Sequence, residues 1–204
     1  MLRAAIVAAA AFVPMLAEAA RSRRNEATLR ARGAIEPAGD VYPWMQVAYP
    51  ACFVAMAAEA AIRRQPADVS LVAGAAVFTL AKALKYSAIA ALGDRWSFRV
   101  LVLPGKPLIS NGPYRWMRHP NYVGVAGELI GAALMAGSPI AGVISFVTFG
   151  GIMLARIRVE DRALSGAPRA RPPERSGGGV PASVGVGESE GRSPSGSDVD
   201  ACKR

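Results

Sequence analysis

Apolar stretches separated by short polar segments run through the first 155 residues of this chain. The windows 4–20, 41–62 and 69–93 contain seventeen, twenty-two and twenty-five residues, with at most two charged side chains each. A helix that crosses a bilayer needs about 17–25 predominantly apolar residues. We therefore predict three transmembrane helices in these windows.

The fourth window, 121–155, holds thirty-five residues and one charge, Glu128. As a single helix it would be about 52 Å long, against a hydrocarbon core of about 30 Å. The sequence Gly137-Ser138-Pro139 lies at its midpoint, and proline ends helices. We predict a tight hairpin of two short helices, and hence an all-α membrane bundle of about five transmembrane helices with a C-terminal helical hairpin.

The composition agrees with a membrane protein, because 52% of the residues are hydrophobic and only 19% are charged, whereas soluble chains have about 25% charged residues. The segment 165–204 differs. Gly, Ser and Pro make up twenty of its forty residues, and Phe, Leu, Ile, Met, Trp and Tyr are absent. Such a segment cannot bury enough apolar surface to offset its ordering entropy. We predict a membrane domain over 1–164 and a disordered cytoplasmic tail over 165–204.

The net charge is +9, and the basic residues lie between the apolar runs rather than along one face of a helix. This distribution argues against nucleic acid as a partner. If 21–40, 93–120 and 156–204 share one side of the membrane, that side carries nineteen Lys and Arg and the other side three. The positive-inside rule then puts the N-terminus outside and the C-terminus in the cytoplasm. Arginine outnumbers lysine twenty to four, which is typical of a GC-rich bacterial genome, so we expect a bacterial inner-membrane protein.

Residues 1–20 have a second interpretation. A basic residue, an apolar stretch and the sequence Ala17-Glu18-Ala19 resemble a cleavable signal peptide. The arginine cluster at 21–24 opposes export of the residues after it. We therefore favour a retained helix.

The loop 93–122 is the stretch richest in candidate chemistry. It contains five aromatic residues and the only histidine of the chain, His119. In its densest part, 112–124 (GPYRWMRHPNYVG), Pro120 suits the first turn of a helix. Helix-start amides beside two arginines and the histidine would bind an anion. The alternative is an interfacial anchor of aromatic and basic side chains on lipid.

Charged residues inside apolar windows are functional suspects, because burying a charge in a membrane is costly. Glu59 lies one turn from Arg63 and is expected to pair with it, while Lys82 and Lys85 share a face and are expected to snorkel. Glu128 is expected to face the interior of the bundle, with either a structural hydrogen bond or a chemical role.

The segment 156–164 (RIRVEDRAL) leaves the last helix, with Arg156 and Glu160 on one face. A solvated helix end with salt bridges is the alternative interpretation. The chain has no Walker loop, no Gly-x-Gly-x-x-Gly after a strand, no serine elbow and no His/Cys metal spacing. We expect no metal, and a nucleotide-like cofactor would need a site other than a Rossmann turn.

The pattern G-P-Y-R-x-x-R-H-P-x-Y-x-G, an apolar hairpin and then R-I-x-x-E-[ED]-x-x-L resemble the isoprenylcysteine carboxyl methyltransferase family of membrane enzymes, which is related to phospholipid methyltransferases. The resemblance covers roughly 20–164 and is similar to the bacterial branch, which methylates lipophilic small molecules. It implies that residues of about 93–164 hold S-adenosylmethionine on the cytoplasmic side. The implied cofactor-binding positions are Tyr114, Arg115, His119, Tyr122, Gly124, Glu160 and Asp161, where Asp161 is one methylene shorter than the family's second glutamate.

The expected function is S-adenosylmethionine-dependent methylation of a carboxyl or hydroxyl oxygen on a lipophilic, lipid-like acceptor at the membrane. We expect catalytic roles for Arg156 and for Glu128, the latter as a base for a phenol or enol. Because a hairpin returns the chain to its starting level, His119 and Glu160 are predicted to line one chamber. The alternatives are an NADPH-dependent membrane reductase of the sterol or fatty-acyl type and a non-catalytic membrane scaffold.

Overall fold

A computed structural model describes residues 1–165, so the disordered tail predicted for 165–204 lies, apart from Ser165, outside the described residues. The described part contains five α-helices, and its only β pairing is an isolated bridge between Ile35 and Val102. The predicted all-α bundle with a C-terminal helical hairpin is confirmed. The helices are α1 (Leu2–Ala31), α2 (Tyr42–Arg63), α3 (Val69–Leu92), α4 (Pro120–Ala136) and α5 (Pro139–Leu164).

Four helical runs are long and apolar enough to cross a membrane: α1, α2, Val69–Arg95 and α5. Helix α4 has 17 residues and is therefore about 25 Å long, shorter than a hydrocarbon core of about 30 Å. The prediction of two short hairpin helices is wrong for α5, which has 26 residues. The apolar window ends at Ala155, but the helix continues to Leu164 because the residues after it are good helix formers.

Helix α1 is longer than predicted, since residues 21–31 continue the helix rather than begin a loop. These residues are mostly good helix formers, and Ser22 and Leu29 are buried. The extension holds the 93–119 loop in place. The Ser22 hydroxyl accepts a hydrogen bond from the Phe98 amide at 2.8 Å, and the Asn25 amide donates to the Trp96 carbonyl at 2.7 Å.

Glycines on α4 allow close packing against α3. A Cβ atom added to Gly131 would lie 2.6 Å from the backbone nitrogen of Phe78, and one added to Gly127 would lie 2.8 Å from the Cβ of Ala81. Small residues of this kind let two helix backbones approach in a membrane. The short helix α4 is thereby fixed against α3, with its N-terminus below the 93–119 loop.

The turn between α4 and α5 uses Gly137, whose φ of +64° lies in the left-handed region that suits glycine. The Glu59 carboxylate accepts a hydrogen bond from the Ala141 amide at 2.6 Å at the start of α5. Glu59 also pairs with Arg63 at 3.5 Å, which confirms the predicted pair. The hairpin returns the chain, so that the end of α5 lies beside the start of α4.

Candidate active site at the polar end of the hairpin

A cavity of about 640 Å³ lies among the five helices and the loop between α3 and α4. This volume falls within the range of about 300–1,000 Å³ that is usual for small-molecule sites. Apolar side chains of the membrane helices line part of it, among them Met15, Met45, Pro50, Val125 and Phe149. Polar side chains from the loop and the hairpin line another part, among them Tyr114, Arg118, His119, Asn121, Tyr122, Arg156 and Glu160.

The Tyr122 hydroxyl connects the two charged residues of α5 in this polar part. It donates a hydrogen bond to the Glu160 carboxylate at 2.7 Å and accepts one from Arg156 Nε at 3.3 Å. Arg156 is itself fixed, because it forms an ion pair with Asp40 at 2.5 Å and donates to the Phe98 carbonyl. Asp40 balances the charge of the buried guanidinium, which leaves the Glu160 carboxylate available to a cation.

His119 also faces the cavity, and its Nε2 lies 3.1 Å from Asp161 Oδ1. The two residues are forty-two positions apart and meet because the hairpin brings the end of α5 back to the start of α4. Asp161 is half-exposed and does not line the cavity itself, so its contact orients the imidazole. The His119 ring lies 5.7 Å from the Tyr122 ring, so His119, Tyr122 and Glu160 form one continuous surface.

Tyr114 lines the same part of the cavity from the short 3₁₀ turn Gly112–Arg115. Burial raises the pKa of its hydroxyl well above the usual value, and the nearby Glu160 carboxylate acts in the same direction. Tyr114 is therefore a neutral aromatic side chain at physiological pH.

Four of the nine sequence-predicted site residues do not line the cavity: Arg115, Gly124, Glu128 and Asp161. Asp161 contacts His119, and Glu128 lies inside the bundle. Arg115 is exposed and its guanidinium stacks on Trp116 at 4.9 Å, while Arg118 lines the cavity instead. Gly124 faces α3, since a Cβ atom there would lie 2.9 Å from the Cβ of Lys85. Its role in the structure is close helix packing.

The start of α4 offers fewer amides to an anion than the sequence predicts. Pro120 has no N–H, and the amides of Tyr122 and Val123 donate to the His119 carbonyl at 3.2 and 3.3 Å. Of the two arginines just before α4, Arg118 lines the cavity and is therefore available to an anion. Asn121 lines the cavity, and its side-chain oxygen is buried without a hydrogen-bond partner.

Glu128 faces the bundle interior with only 1% of its surface exposed. It accepts a hydrogen bond from the Tyr49 hydroxyl and pairs with Lys82 at 3.2 Å and Lys85 at 3.4 Å. The prediction that the two lysines snorkel is wrong. Both are buried, because carboxylates of neighbouring helices neutralise them inside the bundle.

Asp40 and Tyr49 are cavity-region residues that sequence reasoning missed. Asp40 comes after a glycine at the end of a polar segment, and Tyr49 lies in an apolar window, so neither stands out locally. The signal for Tyr49 is indirect. Two glutamates and two lysines in separate apolar windows require partners inside the bundle, and the polar side chains of the remaining helix become candidates.

A family model described as the isoprenylcysteine carboxyl methyltransferase (ICMT) family matches residues 74–166. The uncharacterized protein YpbQ of Bacillus subtilis is 33% identical over 154 residues, which cover 75% of this chain and 91% of that protein. An uncharacterized protein of Haemophilus influenzae is 26% identical over 145 residues, which cover 71% of this chain and 84% of that protein. No solved structure matches the chain.

The region matched by the family model contains most of α3, the loop, and the α4–α5 hairpin with Tyr122, Arg156 and Glu160. Together with the four apolar helices, this match identifies an integral membrane protein. The chain belongs to the isoprenylcysteine carboxyl methyltransferase family of membrane methyltransferases.

Proposed function

We propose that the protein transfers a methyl group from S-adenosylmethionine to an oxygen atom of a lipophilic acceptor at the membrane. One observation carries the proposal. A single cavity joins the Tyr122–Glu160–His119 surface, which stands on the family motif, to apolar side chains of the membrane helices. A charged methyl donor in the polar part of the cavity can therefore contact a lipophilic acceptor in the apolar part.

The chemistry of the cavity fits S-adenosylmethionine, which carries an ammonium, a carboxylate, a sulfonium and an adenine. The Glu160 carboxylate suits the ammonium, and the Arg118 guanidinium suits the carboxylate. The neutral rings of Tyr114 and Tyr122 and the imidazole of His119 suit the adenine and the sulfonium. The side-chain oxygen of Asn121, which has no partner, would accept a hydrogen bond from the adenine amine.

When bound, S-adenosylmethionine would supply a methyl group already activated by the positive sulfur. The protein then has to align the groups and exclude water. Asp40 and the Phe98 carbonyl fix Arg156, and Arg156 fixes the Tyr122 hydroxyl against Glu160. We assign Arg156 as a positioning residue that keeps the donor site in one geometry.

The acceptor would enter the apolar part of the cavity from the bilayer, and the donor would enter the polar part from the cytoplasm. The bias of Lys and Arg, nineteen against three, supports this orientation of the chain. The Glu26–Arg99–Glu36 ion pairs at the same end, at 3.6 and 2.7 Å, tie the loop to α1 and to the segment after that helix. The polar end is thus held together on the proposed cytoplasmic side.

Calorimetric titration of the purified full-length protein with S-adenosylmethionine tests the proposal. Glu160→Gln should weaken binding about tenfold or more, because hydrogen bonds to charged groups contribute about 1.5–3 kcal/mol and 1.4 kcal/mol is a factor of ten. His119→Ala should also weaken binding, because an aromatic ring against a cation contributes about 0.5–2 kcal/mol. Arg118→Ala should weaken binding by a factor similar to that for Glu160→Gln, because it removes the guanidinium that we assign to the donor's carboxylate.

Arg115→Ala is the matched control, because it removes an arginine three positions away that stacks on Trp116. Its affinity should equal that of the unmodified protein. Thermal unfolding of each variant separates lost binding from lost fold. If both His119→Ala and Glu160→Gln bound S-adenosylmethionine as tightly as the unmodified protein, this assignment of the donor site would be wrong.

A further inference from the structure

Four charged side chains form a buried cluster inside the bundle, which we call the ionic cluster: Glu18 of α1, Lys82 and Lys85 of α3, and Glu128 of α4. Each lysine contacts both carboxylates. Lys82 lies 2.9 Å from Glu18 and 3.2 Å from Glu128, and Lys85 lies 2.6 Å and 3.4 Å from the same two groups. The cluster is therefore electrically neutral as a whole.

Charges within membrane helices are costly and usually mark function. Lys85 is the member of the ionic cluster that lines the cavity, and Tyr49, which also lines it, is hydrogen-bonded to Glu128 of the cluster. The Tyr49 hydroxyl donates to Glu128, and the Lys85 ammonium lies 5.6 Å above the Tyr49 ring. Tyr49 thus connects the cavity to a buried carboxylate.

The Tyr49 ring is held in one orientation. It packs edge-on against Phe53 and at a tilt against Phe149, each with ring centroids 5.0 Å apart. Phe149 also lines the apolar part of the cavity. A polar group carried by a lipophilic ligand in this part would meet the Tyr49 hydroxyl.

The position of this hydroxyl relative to the proposed donor site is suitable for an acceptor. Glu128 lies six residues beyond Tyr122 on α4, which corresponds to about 9 Å along the helix axis. Tyr49, Tyr122 and Glu160 all line the cavity, so the Tyr49 side chain, which is bound to Glu128, and the Tyr122–Glu160 contact lie at different depths of it. A donor and an acceptor placed end to end would reach both.

We propose that Tyr49 and Glu128 form the proton-accepting site for the acceptor, and that the acceptor is a lipophilic molecule with a neutral hydroxyl group, a phenol or an enol. The inference rests on the proposed function. As the acceptor oxygen bonds to the methyl carbon, the S–CH₃ bond breaks and its electron pair stays on sulfur. The hydroxyl proton passes to the Tyr49 oxygen while the Tyr49 proton passes to the Glu128 carboxylate.

The ionic cluster favours a hydroxyl over a carboxylate acceptor. An ionised carboxylate has no proton to lose and would bring a further negative charge next to Glu128. Lys85 has little attraction to offer it, since this ammonium already pairs with two carboxylates. A neutral hydroxyl needs what the cluster does provide, which is an oxygen that can take its proton.

The test measures transfer of a labelled methyl group from S-adenosylmethionine by the full-length protein in lipid nanodiscs. The probes are 4-dodecylphenol and dodecanoic acid, which share an alkyl chain and differ in the acceptor group. We expect methylation of the phenol and none of the acid. Tyr49→Phe and Glu128→Gln should lower turnover of the phenol about 100-fold, the lower end of typical acid–base contributions, with unchanged affinity for S-adenosylmethionine.

Glu18→Gln is the matched control. It removes a carboxylate that binds the same two lysines but does not contact the Tyr49 hydroxyl. Its turnover should fall by less than about tenfold, below the usual acid–base contribution. A ring-fluorinated analogue of the phenol, which loses its proton more readily, should restore much of the turnover of Tyr49→Phe, an effect that a purely structural role would not produce.

Three results would overturn the inference: no methylation of the phenol, equal losses in Glu18→Gln and Glu128→Gln, or no recovery of Tyr49→Phe with the fluorinated probe. If thermal unfolding finds Glu128→Gln unfolded, Tyr49→Phe carries the test, because it leaves all four charges in place. Failure of the unmodified protein to bind S-adenosylmethionine would instead contradict the proposed function. Binding without methylation of the phenol would contradict only the acceptor class.

Discussion

The Tyr122 hydroxyl is the group through which Arg156 acts on Glu160, since the structure joins the two through this one oxygen. Tyr122→Phe keeps the ring and removes that oxygen. We expect the affinity for S-adenosylmethionine to fall about tenfold, because Glu160 loses a hydrogen bond that fixes it, and hydrogen bonds to charged groups contribute about 1.5–3 kcal/mol. Calorimetric titration measures the change.

Tyr86→Phe serves as the control for the Tyr122 variant, because Tyr86 is a half-exposed tyrosine of α3 that contacts Lys82. Its affinity should stay unchanged. An equal fall in both variants would mean that loss of a tyrosine hydroxyl anywhere disturbs the bundle, and Tyr122 would lose its special role.

The motif predicted which side chains of the hairpin meet, but not which arginine of the loop faces the cavity. His119 and Glu160 could be placed together because a hairpin returns the chain to its starting level, and Tyr122 was added to them through the family resemblance. Arg115 and Arg118 are alike in sequence, and their directions depend on the 3₁₀ turn Gly112–Arg115. The partners of Glu128 were out of reach for a similar reason, because they depend on how each helix is rotated about its axis.

The contact between α3 and α4 sets the position of the donor site, because α4 begins with the residues that line it. Gly131→Ala would place a Cβ atom 2.6 Å from the backbone nitrogen of Phe78, and backbone cannot move aside as a side chain can. We expect the free energy of unfolding to fall by about 1–3 kcal/mol, the usual cost of overpacking. Thermal unfolding in detergent measures this effect.

Gly150→Ala is the matched control on α5, where an added Cβ atom would meet nothing within 4 Å. Since alanine forms helices better than glycine by about 0.5–1 kcal/mol, this variant should be as stable as the unmodified protein or more so. If the two variants unfolded at the same temperature, the α3–α4 contact would not be as tight as the structure has it.

The helices themselves were largely predictable, because windows of apolar residues define them directly. Their ends were not. Helix α1 continues through 21–31 and α5 continues to Leu164, although both extensions are charged. Polar helix ends lie outside the hydrocarbon core, where hydropathy gives no signal. Helix propensity and contacts with the loop determine where such a helix ends.

Helix α1 belongs to the bundle and cannot be removed without loss of the cavity. Val7 and Ala11 lie in the hydrophobic core, and Glu18 supplies one of the two carboxylates of the ionic cluster. Met15 and Ser22 line the cavity itself. These contacts make α1 part of the proposed site.

The proposed orientation puts the polar end of the cavity in the cytoplasm, where S-adenosylmethionine is made. The physical basis is the positive-inside rule, with nineteen Lys and Arg on one side and three on the other. Single cysteines at Pro104, in the α3–α4 loop, and at Ala67, in the α2–α3 turn, report on the two sides, since both positions are exposed. The background is Cys202→Ser, with the buried Cys52 retained.

Intact cells are treated with a membrane-impermeant maleimide before and after permeabilisation. We expect Ala67→Cys to react in intact cells and Pro104→Cys to react only after the membrane is opened. The background protein without either cysteine should remain unlabelled throughout, because Cys52 is buried. The opposite pattern would put the donor site outside the cell, away from its proposed ligand, and both the orientation and the entry route of the donor would then be wrong.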